Sequence, residues 1–303
     1  MLYKKLELVS EIGTAEDQED GLVISPPIFA VFDGVSTPYS KASPKKRYGE
    51  KQLSSGALLV KTASESLQHY SSDANADLKK LLMITNQSIA KLQLTEMRMS
   101  LKDSANLAGA TFAAARLSGE TVEIMQAGDS YAFWVNADGT TSLTKDQVLN
   151  HDQRGDNLFR QFQEKSLKEN GGDLSAARAA AWDKYLPVLI KQRKKNINNP
   201  KSPGGFGLLN GQPDLEKSWF YTQLPKSSLK LLLLFTDGLI DRKKFESDES
   251  MKKYLLETYR NGGLQNILFA KRKWERENEK KTYITHTEAT AIAIEFSNSK
   301  TAS

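Results

Sequence analysis

Cysteine is absent from the 303 residues. Disulfide frameworks, thiolate zinc sites and thiol nucleophiles are thereby excluded. Long apolar runs are absent too: stretches such as Leu231 to Phe235 reach five residues, against the ~18 that a spanning helix requires. No membrane partner is expected. The opening MLYKKLELVS carries lysines but no apolar leader and no small-residue cleavage site, which predicts a cytoplasmic location. One-sided charge is lacking as well, since 42 Lys and Arg against 37 Asp and Glu leave +5. The basic stretches KKR (45–47), KQRKK (191–195) and KRK (271–273) are short, and only Trp274 is interleaved with them. They read as solvated surface, and no nucleic-acid partner is expected.

What the chain does have is a set of short, strongly apolar segments bounded by turn residues. IFAVFD ending at Asp33, ATFAAARL from Ala110 and LKLLLLFTD ending at Asp237 read as strands, TVEIMQAGDSYAFWV from Thr121 as two more, and TAIAIEF from Thr290 as a last one. Leu53, Ala57, Val60 and Leu67 recur at helical spacing, as do Leu78, Leu81, Leu82, Ile89 and Leu92. Strands, two helices, strands again, then helices and a final strand do not make a βαβ alternation. The order predicts an α+β fold of packed antiparallel sheets flanked by helices, in a single domain spanning 1–303. Residues 147–203 differ in being charged, Ala-rich and helix-favouring, which predicts an inserted helical pair peripheral to the sheets. The tail 297–303 has nothing to bury and is expected to fray.

The informative pattern is where the acids fall. Asp33-Gly34 and Asp237-Gly238 close strands, Gly128-Asp129-Ser130 joins two, and Asp241 follows four residues after Asp237. Glu19-Asp20 precedes the strand that delivers Asp33, and Glu288 precedes the last strand. An acid after a buried strand is held rigidly at a sheet edge, and the adjoining glycine lets backbone approach a ligand. Carboxylates converging from separate strands repel unless a cation lies between them. Oxygen donors with no Cys, and with only His69, His151 and His286 scattered along the chain, suit Mg²⁺ or Mn²⁺ rather than Zn²⁺. A lone Asp-Gly is usually just a turn. Asp138-Gly139 in NADGT is taken as a hairpin turn, and Asp103 and Asp146 as surface or capping residues.

In order, these motifs resemble the metal-dependent serine/threonine protein phosphatases of the PP2C (PPM) family, from about Gly13 to Phe296 without the insertion. GTAEDQED (13–20) resembles the family's opening acidic block and FAVFDGVST (29–37) its VFDGHGG block. GATFAAARLSGETVEIMQAGDSYAFWV, from Gly109, is similar to the family's strand, hairpin and GDSR segment, with LTKDQ where the family has LTxDH. LLLLFTDGLID (231–241) and TEATAIAIEF (287–296) resemble the SDGLxD and DDATxxVV blocks. The resemblance implies an α-β-β-α sandwich with a centre of two Mn²⁺ or Mg²⁺ ions at one end. Asp33 would bridge both ions and the Gly34 carbonyl would bind one. Glu19 and Asp20 would hold one ion or its waters, Asp237 the other, and Asp129 and Asp241 a third, weaker ion. Asp20, Asp33 and Asp237 would be the catalytic core, where a metal-bridging water attacks phosphorus in line. A phosphorylated protein is the implied substrate and a monomer the implied state. No phosphoenzyme is needed, in agreement with the absent cysteine.

Three positions depart from the family pattern. Its phosphate-gripping arginine falls at Ala15, leaving Lys4, Lys5 or Arg242 as stand-ins, and its DGH histidine falls at Val35. Its last metal-binding aspartate aligns with Thr287, and the carboxylate comes one residue later, so Glu288 is expected to take the ligand's place. The same departures keep open a second expectation, a pseudophosphatase that binds a phosphoprotein or partner without turnover.

Overall fold

The computed structural model describes residues 3–14, 16–40, 46–73, 76–282 and 286–297. Ala15, residues 41–45 and the expected tail from 298 lie outside them. Ten strands form two antiparallel five-stranded sheets. The first runs β1 (Lys5–Glu11), β10 (Ala289–Glu295), β9 (Leu229–Phe235), β6 (Tyr131–Asn136), β7 (Thr141–Leu143). The second runs β2 (Asp20–Ser25), β3 (Ile28–Val35), β4 (Gly109–Ser118), β5 (Thr121–Ala127), β8 (Phe220–Pro225).

Side-chain alternation explains why the central strands read as unbroken apolar runs. In β3, Phe29 and Val31 face the other sheet and meet Leu232, Leu234, Ile292 and Ile294. Ile28, Ala30 and Phe32 face outward onto α1 (Ser55–Tyr70) and α2 (Leu78–Thr95), against Leu59, Leu67 and Leu81. Strands buried on both faces have no polar side to show. The other sheet does the same: Leu231, Leu233 and Phe235 of β9 pack on Met251, Leu255, Leu264 and Ile267 of α5 (Asp248–Arg260) and α6 (Gly263–Thr282). Three apolar layers therefore separate four layers of secondary structure, the α-β-β-α order expected. Helices α1, α2 and α5 start at side-chain caps: Ser54 accepts from the Ala57 amide, Asp77 from that of Lys80, and Ser247 and Ser250 form a capping box.

Between the sheets' outer strands, α3 (Leu149–Glu169) and α4 (Leu174–Asn196) form a helical hairpin held by Phe159, Trp182 and Tyr185. Gly155 lets the two helices pack closely there, because a Cβ would stand 2.5 Å from the Tyr185 hydroxyl and the ring would have to shift. The hairpin is tied to the rest of the chain at its base. Gln147 Oε1 accepts from the amides of Gly128 and Gly207, buried Arg193 donates from Nη2 to the Leu107 carbonyl at 2.7 Å, and Val148, Ile197, Phe206 and Leu208 form a small apolar cluster.

Candidate metal centre

The acids converge at one end of the sandwich because the start of β2, the end of β3 and the turns after β5 and β9 meet there. Asp33 lies near the end of β3, opposite Asp20 on β2 and opposite Thr111 on β4. Asp129 sits in the turn between β5 and β6. Gly128 before it has φ +77° and no room for a Cβ, which would come 2.2 Å from Thr111 Cγ2. Asp237 begins a 3₁₀ turn (Asp237–Leu239) just after β9. There Gly238 lets the chain pass the strand leading into β10, since a Cβ would lie 1.5 Å from the Glu288 carbonyl oxygen.

Asp33 and Asp129 are half-buried, and Asp237 is exposed where it and Asp129 line a cleft. Burial, followed by the charges of Asp20, Asp237 and Asp129, pushes the Asp33 carboxyl well above the usual carboxylate range. Asp129 is raised likewise by burial and then by the charge of Asp237, and Asp237 itself by burial. Buried Asp20 is raised to about 7 by burial, with Glu288 and Asp237 adding repulsion; Thr236 Oγ1 donates to its Oδ2 at 2.8 Å. Asp33 and Asp237 lie near enough for each to act on the other's ionisation. Among the described residues no three His, Asp or Glu side chains are set as a ready metal cage. The donor set nonetheless fits a hard divalent ion: oxygen-only and mutually repelling, a repulsion that a cation would relieve.

The other expected ligands are placed differently. The Glu19 carboxylate accepts from the hydroxyls of Ser36 and Ser54 and packs against Gly56 at the start of α1. The Gly34 amide donates to the Glu19 carbonyl at 2.9 Å, joining the two acidic segments through backbone. Glu288 precedes β10 rather than lying in it, and its Oε2 accepts from the amides of Glu19 and Asp20, each at 2.8 Å. That oxygen clamps the start of β2. Asp241 accepts from the Lys243 amide at 3.0 Å and lines the cleft. Thr287, not Glu288, lines the cleft, with Oγ1 2.8 Å from Glu275 Oε1.

The cleft encloses about 710 Å³ beside Asp129, Asp237 and Gly238, with α3 on one side and α6 on another. Sequence reasoning missed several residues around it. Asp146 does cap α3, accepting from the amides of Val148 and Leu149, but it also accepts from the Tyr131 hydroxyl at 2.7 Å and lines the cleft. Glu275 is buried and held by Arg272, His286 and Thr287, which keep its carboxyl low, at about 2, despite burial. Its i, i+4 spacing from Lys271 was the one available signal, and in a charged helix that spacing reads as surface. His286, open on sequence grounds, is a partner of Glu275 at 3.0 Å. Asp138-Gly139 is the β6–β7 turn expected, and the Asp103 carboxylate accepts from the Asn106 side chain at an exposed position.

Comparison with solved structures returns bacterial phosphatases over essentially the whole chain. The catalytic domain of the serine/threonine protein phosphatase PstP, solved with two manganese ions, is 16% identical with a TM-score of 0.55, covering 97% of this chain and 98% of that one. The Mycobacterium tuberculosis serine/threonine phosphatase PstP/Ppp is 16% identical at TM-score 0.53, covering 96% and 98%. The serine/threonine phosphatase Stp1 from Staphylococcus aureus is 14% identical at 0.52, covering 97% and 95%. No family model and no curated protein sequence matches the chain. The chain has the fold of these phosphatases, an α-β-β-α sandwich, with the acids gathered at one end of it.

Proposed function

We propose that the chain is a divalent-metal-dependent phosphatase acting on phosphoserine or phosphothreonine in proteins. The observation that carries this reading is the gathering of Asp20, Asp33, Asp129 and Asp237 at one end of the sandwich, each raised by burial and by its acidic neighbours. A fold gains no stability from packing like charges together, so a role outside folding is the simplest reason for them. Asp33 and Asp237 would hold Mn²⁺ or Mg²⁺ with Asp20, and Asp129 and Asp241 would border a further ion. Bound there, the ions would acidify water and neutralise phosphoryl oxygens. The chain's own contribution is rigidity. Thr236 orients Asp20, the Thr111–Ser130 hydroxyl pair braces the Asp129 turn, and Glu288 pins the amides that lead into β2.

The substrate would be a phosphorylated protein, taken by a cytoplasmic monomer without nucleic-acid or membrane partners. Among the described residues no helix is long and apolar enough to cross a membrane. Residues 147–203 would be an insertion within a single domain, shaping the cleft from one side. A pseudophosphatase is the second reading, favoured by Thr287 standing in the cleft where a carboxylate would serve and by Glu288 being engaged with backbone. Hydrolysis of p-nitrophenyl phosphate with Mn²⁺, with Mg²⁺ and with EDTA separates the two. Metal-dependent turnover supports the enzyme, and metal-independent absence of turnover leaves the binding protein.

A further inference from the structure

Lys271, on α6, lines the same cleft as Asp129, Asp237 and Gly238. Its side chain is only 8% exposed. A buried ammonium is costly unless its three donors find acceptors. Among the described residues the carboxylate paired with it is that of Glu275, whose Oε1 lies 3.5 Å from Nζ, beyond ordinary N–H···O range. That carboxylate is already occupied: Arg272 Nη1 reaches it at 2.7 Å, His286 Nδ1 at 3.0 Å, and the hydroxyl and amide of Thr287 at 2.8 and 3.2 Å. The Trp274 ring, 5.8 Å from Nζ, offers no lone pair. Its charge also acts on Asp237, opposing the rise that burial gives that carboxyl. Lys271 is thus a buried cation beside the acidic floor, with Nζ outside ordinary hydrogen-bond range of Glu275.

Two of the stand-ins named for holding phosphate, Lys5 and Arg242, are committed elsewhere, as is Lys243 of the cleft wall. Lys5 pairs with Glu7 and Glu295 on β1, bordering a different cavity. Arg242 lines the cleft but gives Nη2 to Asp248 and Nη1 to the Phe245 carbonyl, each at 2.8 Å. Lys243 is paired with Asp156 across the cleft. We propose that Lys271 is the anion-binding group of the cleft, donating to the oxygens of a phosphate monoester or of the phosphate released from it. The inference deepens the phosphatase reading by naming a substrate-holding residue on α6 in place of the arginine missing near the N-terminus.

Inorganic phosphate is the probe, titrated calorimetrically into the full-length chain with Mn²⁺ and with EDTA. Lys271→Met should weaken phosphate binding by about tenfold or more in at least one of these conditions, as loss of a charge-assisted hydrogen bond predicts. Lys271→Arg should stay within about threefold of the parent. With a phosphopeptide, Lys271→Met should raise KM while kcat changes by less than about threefold. Equal phosphate affinity in the parent and Lys271→Met would overturn the inference, as would a parent that binds no phosphate. Should Lys271→Met fold poorly by thermal melting, the lysine Nζ resonance of the parent can be followed during the titration; a shift supports the assignment and no shift overturns it. Binding is read without turnover, so a chain that hydrolyses nothing yet binds phosphate through Lys271 refutes the phosphatase reading and leaves this one standing.

Discussion

Glu288 is the residue on which sequence and geometry pull hardest in different directions, and replacing it decides between a ligand and a clamp. Its Oε2 accepts from the amides of both Glu19 and Asp20 at 2.8 Å, in a half-buried position. Hydrogen bonds to a charged acceptor are worth about 1.5–3 kcal/mol each, and partial exposure puts these at the low end. Glu288→Ala should therefore cost about 2–4 kcal/mol and lower Tm by roughly 3–6 °C for a chain of this size. Glu288→Gln keeps an oxygen that can accept from both amides and should lose only about 1 kcal/mol. A clamp acts on metal only through Asp20, whose amide it holds, so Mn²⁺ affinity should change by no more than a few-fold. A lost ligand would instead weaken it by roughly 10- to 100-fold, by analogy with supporting partners of metal ligands. Thermal melts in EDTA give the first quantity and calorimetric Mn²⁺ titration the second. An alanine variant that melts with the parent but binds Mn²⁺ tenfold more weakly would refute the clamp.

Asp33→Asn and Asp237→Asn should each cut phosphatase turnover by at least ~100-fold, and each should raise Tm in EDTA, because both carboxyls are raised by burial and Asp33 also by its acidic neighbours. Near-parental turnover at saturating Mn²⁺ would remove them from the centre. Thr287→Asp puts a carboxylate on the cleft wall and should raise Mn²⁺ affinity; an unchanged titration would mean that position 287 does not face the ion. Gly238→Ala should fail to fold or lose more than ~3 kcal/mol in denaturant melts, since its Cβ would stand 1.5 Å from the Glu288 carbonyl oxygen. Glu275 carries a depressed pKa of about 2, against an unperturbed 4.5, so its stabilisation is complete above about 4.5 and is lost as pH falls toward 2. The stability gap between the parent and Glu275→Gln should therefore be wide at pH 7 and close over that window; a gap independent of pH would show that the carboxylate's charge is not what stabilises.

How much of this was legible in the sequence follows the physics of burial. The six strands read from sequence, β3, β4, β5, β6, β9 and β10, are all interior to their sheets, where both faces pack and the apolar signal is continuous. The four not read, β1, β7, β2 and β8, are the edges of the two sheets. Edge strands bury little: in β1 only Val9 is buried, and in β8 no residue is. Their identity is fixed by the neighbour they pair with, which no local pattern records. The acids were legible because glycine marked their turns, and Gly128 and Gly238 prove to be positions where a Cβ has no room. What each carboxylate touches was not. Glu19 and Glu288 look like neighbours of Asp20 and Asp33 in sequence logic, yet one is taken by two serine hydroxyls and the other by two backbone amides. Hydrogen-bond partners from α1 and from the start of β2 come together only after the sheets have formed.

The segment with the plainest composition ends up beside the chemistry. Residues 147–203 read as charged and helical, a pattern that favours a surface appendage, and α3 and α4 are indeed a hairpin whose tip bears exposed residues. But Asp152, Asp156 and Arg160 of α3 and Arg178 of α4 line the cleft, and the base of the hairpin is buried, with Arg193 bonded to Leu107 and Val148 and Ile197 packed on Phe206 and Leu208. A wall fixed at its base but built from solvated helices can vary its facing residues at little cost to the sheets, because those residues support no core. The acidic floor, by contrast, is drawn from turns that cannot move without disturbing both sheets. On the proposed phosphatase reading, selectivity for one phosphorylated partner over another should therefore reside in α3 and α4, and chemistry common to many partners in the floor beneath them.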